Sequence, residues 1–205
     1  MENPHLLKSW ECHESSLPVS FGRKICWLAF NTTAHKAVVE TMMGPNERWV
    51  STNMALGVEA AYRGFTFIFP VIEEWVLVIR KNFMNEPRYL ERMVDWSAGF
   101  GEVHAYESHS VSDYSTWIKC KSGRLERAFS ADNGKVFMNN GVLTNIECLL
   151  QKEIITEIPV LIHDAEGLLN YMAGEENTFR VAQDWSINPV RLEEYNVKNL
   201  GSLTY

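Results

Sequence analysis

The sequence predicts an α+β fold, a mixed or antiparallel sheet covered by helices. Three observations carry that expectation. Aromatic and β-branched runs of strand length alternate with stretches of helical spacing. The turn pairs Ser122-Gly123 and Asn133-Gly134 separate successive runs as hairpin turns do. Finally, 46% apolar and 12% aromatic residues over 205 positions supply a core that needs no disulfide staples.

Taken in order, residues 1–20 are polar and broken by Pro4 and Pro18, an N-terminal arm that Trp10 could tie down. Ile25 to Phe30 has strand character. Thr32 or Thr33 can cap a helix over Ala34 to Met43, which Gly44-Pro45 would end. Met54 to Tyr62 fits either a helix capped by Asn53 or a strand, and Gly57 weakens both. Phe65 to Phe69 and Trp75 to Ile79 read as a buried antiparallel hairpin. Leu90, Met93, Val94 and Ser97 recur at helical spacing, so Arg88 to Ala98 is a helix ended by Gly99 and Gly101. Glu102 to His109, Thr116 to Lys121, Arg124 to Ser130 and Lys135 to Met138 then form a meander. The simplest topology for this order is a split β-α-β core of ferredoxin type, extended by that meander.

From residue 147 the composition turns helical and acidic. Asp164 to Ala173, Glu176 to Trp185 and Pro189 to Tyr195 are helix candidates, with Asn188 as a cap and Pro189 at the first helical position. Residues 147–194 hold ten acids against Lys152, Arg180 and Arg191, so this stretch accounts for the formal net charge of -7. The expected organisation is an arm (1–20), an α+β core (21–146) and an acidic helical tail (147–205), together one domain.

Chemistry-bearing patterns are sparse. On a strand, Glu102, His104 and Tyr106 share one face, where a carboxylate could set an imidazole's tautomer and a phenol could orient a substrate. A half-buried strand that turns polar side chains to water explains the same alternation. Gly99-Phe100-Gly101 follows a helix rather than preceding one, which excludes the usual nucleotide loops. Asp132-Asn133-Gly134 lacks the remaining ligands of a calcium loop, and His163-Asp164 alone makes no metal site; Asp164 fits a helix cap better. Trp117, Lys119, Lys121 and Arg124 line one hairpin face, but a Lys119–Glu126 cross-strand pair accounts for part of it, and an acidic chain without a basic stripe is a poor nucleic-acid ligand. Cys12, Cys26, Cys120 and Cys148 form no C-x-x-C pair and fit reduced thiols. Without an export signal or a long apolar run, a cytoplasmic location is expected, with no cofactor, metal, nucleic acid or membrane partner.

The segments Ser20-Phe21-Gly22-Arg23-Lys24-Ile25-Cys26-Trp27-Leu28-Ala29-Phe30, Gly57-Val58-Glu59-Ala60-Ala61-Tyr62, Trp75-Val76-Leu77-Val78, Gly99-Phe100-Gly101-Glu102-Val103 and Trp185-Ser186-Ile187-Asn188-Pro189 together resemble a family of small cytosolic bacterial proteins without assigned function. That resemblance implies a bacterial cytosolic setting and carries no active site with it. In type, though not in motifs, the chain is also similar to immunity proteins that neutralise toxins. The leading expectation is therefore a protein-binding protein that covers the basic active cleft of a toxin with Glu166, Glu175, Glu176, Asp184, Glu193 and Glu194, and with Trp185 near the surface as an anchor. The alternative is an enzyme of unknown reaction using Glu102, His104 and Tyr106 as an acid/base site.

Overall fold

A computed structural model describes residues 10–14, 17–44, 47–109, 111, 113–157, 165–195, 197 and 200–204. The strands are β1 (Ile25–Asn31), β2 (Trp49–Thr52), β3 (Thr66–Ile68), β4 (Trp75–Ile79), β5 (Glu102–His109), β6 (Tyr114–Lys121), β7 (Arg124–Asp132), β8 (Lys135–Gly141) and β9 (Gly201–Thr204). The helices are α1 (His35–Met42), α2 (Met54–Tyr62), α3 (Tyr89–Phe100), α4 (Asn145–Glu157), α5 (Ala165–Met172) and α6 (Glu175–Trp185), with 3-10 turns at Phe83–Asn85 and Pro189–Glu194.

Among the described residues the strands form one nine-stranded sheet in the order β2-β9-β3-β4-β1-β5-β6-β7-β8. Every pairing is antiparallel. Within it lie two interleaved split β-α-β units. β1 and β3 run the same way with β4 between them, and β4 and β5 run the same way with β1 between them. The expected α+β class and split β-α-β core extended by a meander are therefore present.

Alternation in the strands separates two cores. Cys26, Leu28 and Phe30 of β1 point to one face, where Val38, Val39 and Met42 of α1 and Met93 of α3 cover Val76, Val78, Val103 and Ala105. Ile25, Trp27 and Ala29 point to the other, where Met54 and Val58 of α2, Leu150 of α4 and Phe179 of α6 pack on Phe67, Tyr106, Trp117 and Leu203. The buried apolar side chains on each face are what hold the helices to the sheet.

Local chemistry fixes several helix starts. Asn53 accepts a hydrogen bond from the Leu56 amide at 3.0 Å, which settles residues 54–62 as a helix. The close approach of Phe67 to Gly57 explains the glycine there: a Cβ would sit 2.2 Å from the ring. Asn188 accepts from the Val190 amide, with Pro189 next to it, as expected. Thr32 accepts from the Ala34 amide ahead of α1, whereas Pro45 lies outside the described residues. Trp10 is buried and the Cys12 amide bonds the Ser51 carbonyl, so this part of the arm sits along the β2 edge, whereas Ser20 bonds the Val190 carbonyl.

Three expectations need correction. The segment after residue 147 is not helical throughout, because β9 inserts between β2 and β3, and both β2 and β9 were missing from the expected elements. A register shift after Lys119 sets that residue opposite Arg127 rather than Glu126. Trp185 is 6% exposed and belongs to the core rather than to the surface.

Candidate functional site

β5 places Glu102, His104 and Tyr106 on the face covered by α6, and the three side chains hydrogen-bond in line. Glu102 Oε1 lies 2.8 Å from His104 Nε2, and His104 Nδ1 lies 3.0 Å from the Tyr106 hydroxyl. The line continues to Ser186 at the C-terminal end of α6, whose Oγ is 3.0 Å from the same phenol oxygen. Bonds from His104, and then from Lys119 and Lys121, hold the Glu102 carboxyl well below the usual carboxylate range. An ionised Glu102 can only accept, so Nε2 of His104 carries the proton and Nδ1 accepts from Tyr106. The single Ser186 proton is shared between the Tyr106 oxygen and the Ala182 carbonyl 3.3 Å away, and the protons of Tyr106 and His104 point toward Glu102.

Burial lowers the His104 pKa to about 4, outweighing the opposing pull of Glu102, so the ring is neutral near pH 7. Burial also raises the Tyr106 phenol. Trp75 and Trp185 flank the imidazole, with ring centroids 5.0 and 5.6 Å away. Lys119 Nζ, 2.8 Å from Glu102 Oε1, also lies over the Trp185 ring, and Lys121 Nζ bonds Glu102 Oε2 at 3.0 Å. The line borders water at its two ends, at Glu102–Lys121 and at the half-buried Ser186, while His104 and Tyr106 between them are fully buried. The five cavities described on the surface are lined by other residues. As it stands, this chain of bonds pins α6 to β5 and fixes one tautomer of His104.

The acidic residues separate into distinct settings. Glu147 is not on the surface at all: it is fully buried with Arg127. Glu175 pairs with Arg23 at 2.9 Å, Glu194 with Arg191 at 2.8 Å, and Glu193 accepts from the Ser20 hydroxyl. Glu166 lies on α5, but its side chain falls outside the described residues, as do His163 and Asp164.

One continuous acidic face remains. Glu176, Arg180 and Asp184 follow at i, i+4 spacing along α6, and Leu149, Glu153 and Glu157 do so along α4. Arg180 joins the two rows through bonds of 2.6 and 2.9 Å to Glu153, and Glu157 and Glu176 also act on its charge. Three carboxylates thus meet one guanidinium, with Asp184 one turn further along α6 and the exposed Leu149 one turn before Glu153 on α4. Sequence reasoning counted these acids without seeing which would share a face; Glu153 and Glu157 joined Glu176 only through helix periodicity and the α4–α6 contact. It also missed Ser186 beside Tyr106, and Lys119 and Lys121 around Glu102, because each lies outside β5.

Among the described residues, no group of three or more His, Cys, Asp and Glu is placed to hold a metal ion. Among them, too, no helix is long and apolar enough to cross a membrane. The chain matches no known family model, no curated protein and no solved structure.

Proposed function

We propose that this chain is a binding protein of the bacterial cytosol that docks a basic partner, acting as an immunity protein that occludes the cleft of a toxin. The observation that carries the reading is the joined α4–α6 face, where Glu153, Glu157 and Glu176 act on Arg180 and Asp184 follows one turn further along α6. Such a face steers a partner whose own surface is built to hold phosphates, and Leu149 gives it apolar contact area. The test compares the wild-type chain with the triple variant Glu157→Lys, Glu176→Lys, Asp184→Lys, immobilised in host extract at low salt. The expected result is a basic protein retained in equal amount by the wild type alone, released as salt rises, and no longer toxic to cells that coexpress the wild-type chain. Retention unchanged in the variant, or toxicity unrelieved by coexpression, refutes the reading.

A second reading, an acid/base enzyme at Glu102, His104 and Tyr106, is favoured by the in-line bonding of these three groups to Ser186. It requires solvent or substrate to reach the imidazole. Fast exchange of the His104 Nε2 proton, read by NMR, supports it, and exchange only on global unfolding rules it out.

A further inference from the structure

A second polar feature lies on the opposite face of the sheet, toward its β2 edge, and is independent of the acidic face. In the paired strands Thr66 stands opposite Thr204, which in turn stands opposite Trp49. Arg80 follows Ile79, the partner of Phe67, and so continues the same row. Thr66, Thr204 and Arg80 border a cavity of about 280 Å³ that Arg63, Lys81, Glu47 and Glu86 help to line.

Its lining presents donors. Thr204 is fully buried, and its Oγ1 has no hydrogen-bond partner among the described residues. Leaving a buried hydroxyl unmatched is costly, and a guest in the cavity would match it. Arg80 is held in place by bonds from Nε to Glu86 at 2.7 Å and from Nη1 to the Met42 carbonyl at 3.2 Å, which leaves Nη2 unbonded among the described residues. Lys81 is exposed and makes no ion pair among them. The two acids are already engaged. Glu86 is shared by Arg80 and Arg92, and Glu47 accepts from the Gly44 amide at 2.8 Å. Counting Glu59, which pairs with Arg63, the group Arg63, Arg80, Lys81 and Arg92 exceeds Glu47, Glu59 and Glu86 by one positive charge.

We infer that this cavity holds the phosphate group of a small ligand, with Arg80 Nη2, Lys81 Nζ and the Thr204 hydroxyl as its donors. Three donors from different directions suit a tetrahedral group with several acceptor oxygens better than a planar carboxylate. A fixed guanidinium beside a mobile ammonium is also a common division of labour around phosphate.

The test titrates inorganic phosphate, glycerol phosphate and citrate separately into the protein in phosphate-free buffer, followed by amide shifts. Expected are saturable shifts at Thr66, Lys81 and Thr204 with a dissociation constant on the order of 1 mM. Lys81→Gln and Thr204→Val should each weaken binding about fivefold to tenfold, while Lys36→Gln, on α1 away from the cavity, leaves it unchanged. Thr204→Val preserves shape, and Lys81 is exposed, so both variants should keep the wild-type melting profile. Tighter binding of glycerol phosphate identifies a phosphorylated metabolite, and equal binding identifies phosphate itself; either supports the site. Absence of shifts at these amides, unchanged affinity in both variants, or citrate binding as tightly as phosphate overturns it.

Discussion

Replacing Glu147 by leucine removes the acceptor at the centre of a buried network. Its carboxylate takes bonds from Arg127 Nε at 2.8 and 3.0 Å, from Trp117 Nε1 at 2.8 Å, and from the Thr144 amide and hydroxyl at 2.8 Å. The Thr144 bonds make a capping arrangement at the start of α4, in which the side chain of the third helical residue returns to the amide before the helix. Arg127 and Glu147 are 1% and 0% exposed, so leucine strands a guanidinium out of water. Loss of one partner of such a pair costs about 3–5 kcal/mol, and the lost cap adds about 1 kcal/mol. That is a large part of the roughly 5–15 kcal/mol by which a domain of this kind is stable. The assay is urea unfolding followed by tryptophan fluorescence, with Thr144→Ala to isolate the cap and Arg127→Met/Glu147→Leu to remove both charges. The double variant should recover most of the loss, because no charge is then left buried alone. A Glu147→Leu cost below about 1 kcal/mol, or a double variant as unstable as the sum of the singles, refutes the argument.

Burial of His104 makes stability depend on pH. With its pKa lowered to about 4 from 6.5, the unfolded chain binds the proton first, so stability falls as pH drops from about 6.5 to about 4, and Glu102, whose pKa is lowered from 4.5, adds its own loss from the acid end of that window downward. His104→Gln should flatten this stretch of a urea-midpoint against pH curve, and an unchanged slope contradicts the assignment. Gly57→Ala should destabilise despite a helix-propensity gain of about 1 kcal/mol, because crowding against Phe67 costs about 1–3 kcal/mol. A raised melting temperature would be the contrary result.

Where local signals and long-range packing agree, the sequence is readable. Asn53, Asn188 and the strand alternation of Glu102, His104 and Tyr106 all act within a few residues, and each is found where its chemistry suggests. β2 and β9 were illegible because Trp49–Thr52 and Gly201–Thr204 are short, contain serine, threonine or glycine, and become strands only by pairing with each other and with β3. Gly201 also needs its lack of a side chain, since a Cβ would lie 2.5 Å from the Ile68 carbonyl oxygen. Composition misled at Glu147 and Trp185 for a related reason. An acid counted by its charge can be neutralised inside by a base from the sheet beneath its helix, and a tryptophan in a polar segment can face inward at helical period. Ser186 joins the Tyr106 hydroxyl across 80 residues, a distance over which periodicity carries no information.

The placement of β9 bears on synthesis. During translation β2 and β3 emerge more than a hundred residues before the strand that will lie between them. The nascent chain can zip together β3, β4, β1 and the meander, but it must keep a slot open beside β3 until residues 201–204 leave the ribosome. For that interval the unsatisfied edges of β2 and β3 are an invitation to foreign strands, and chaperones have a defined stretch of backbone to shield.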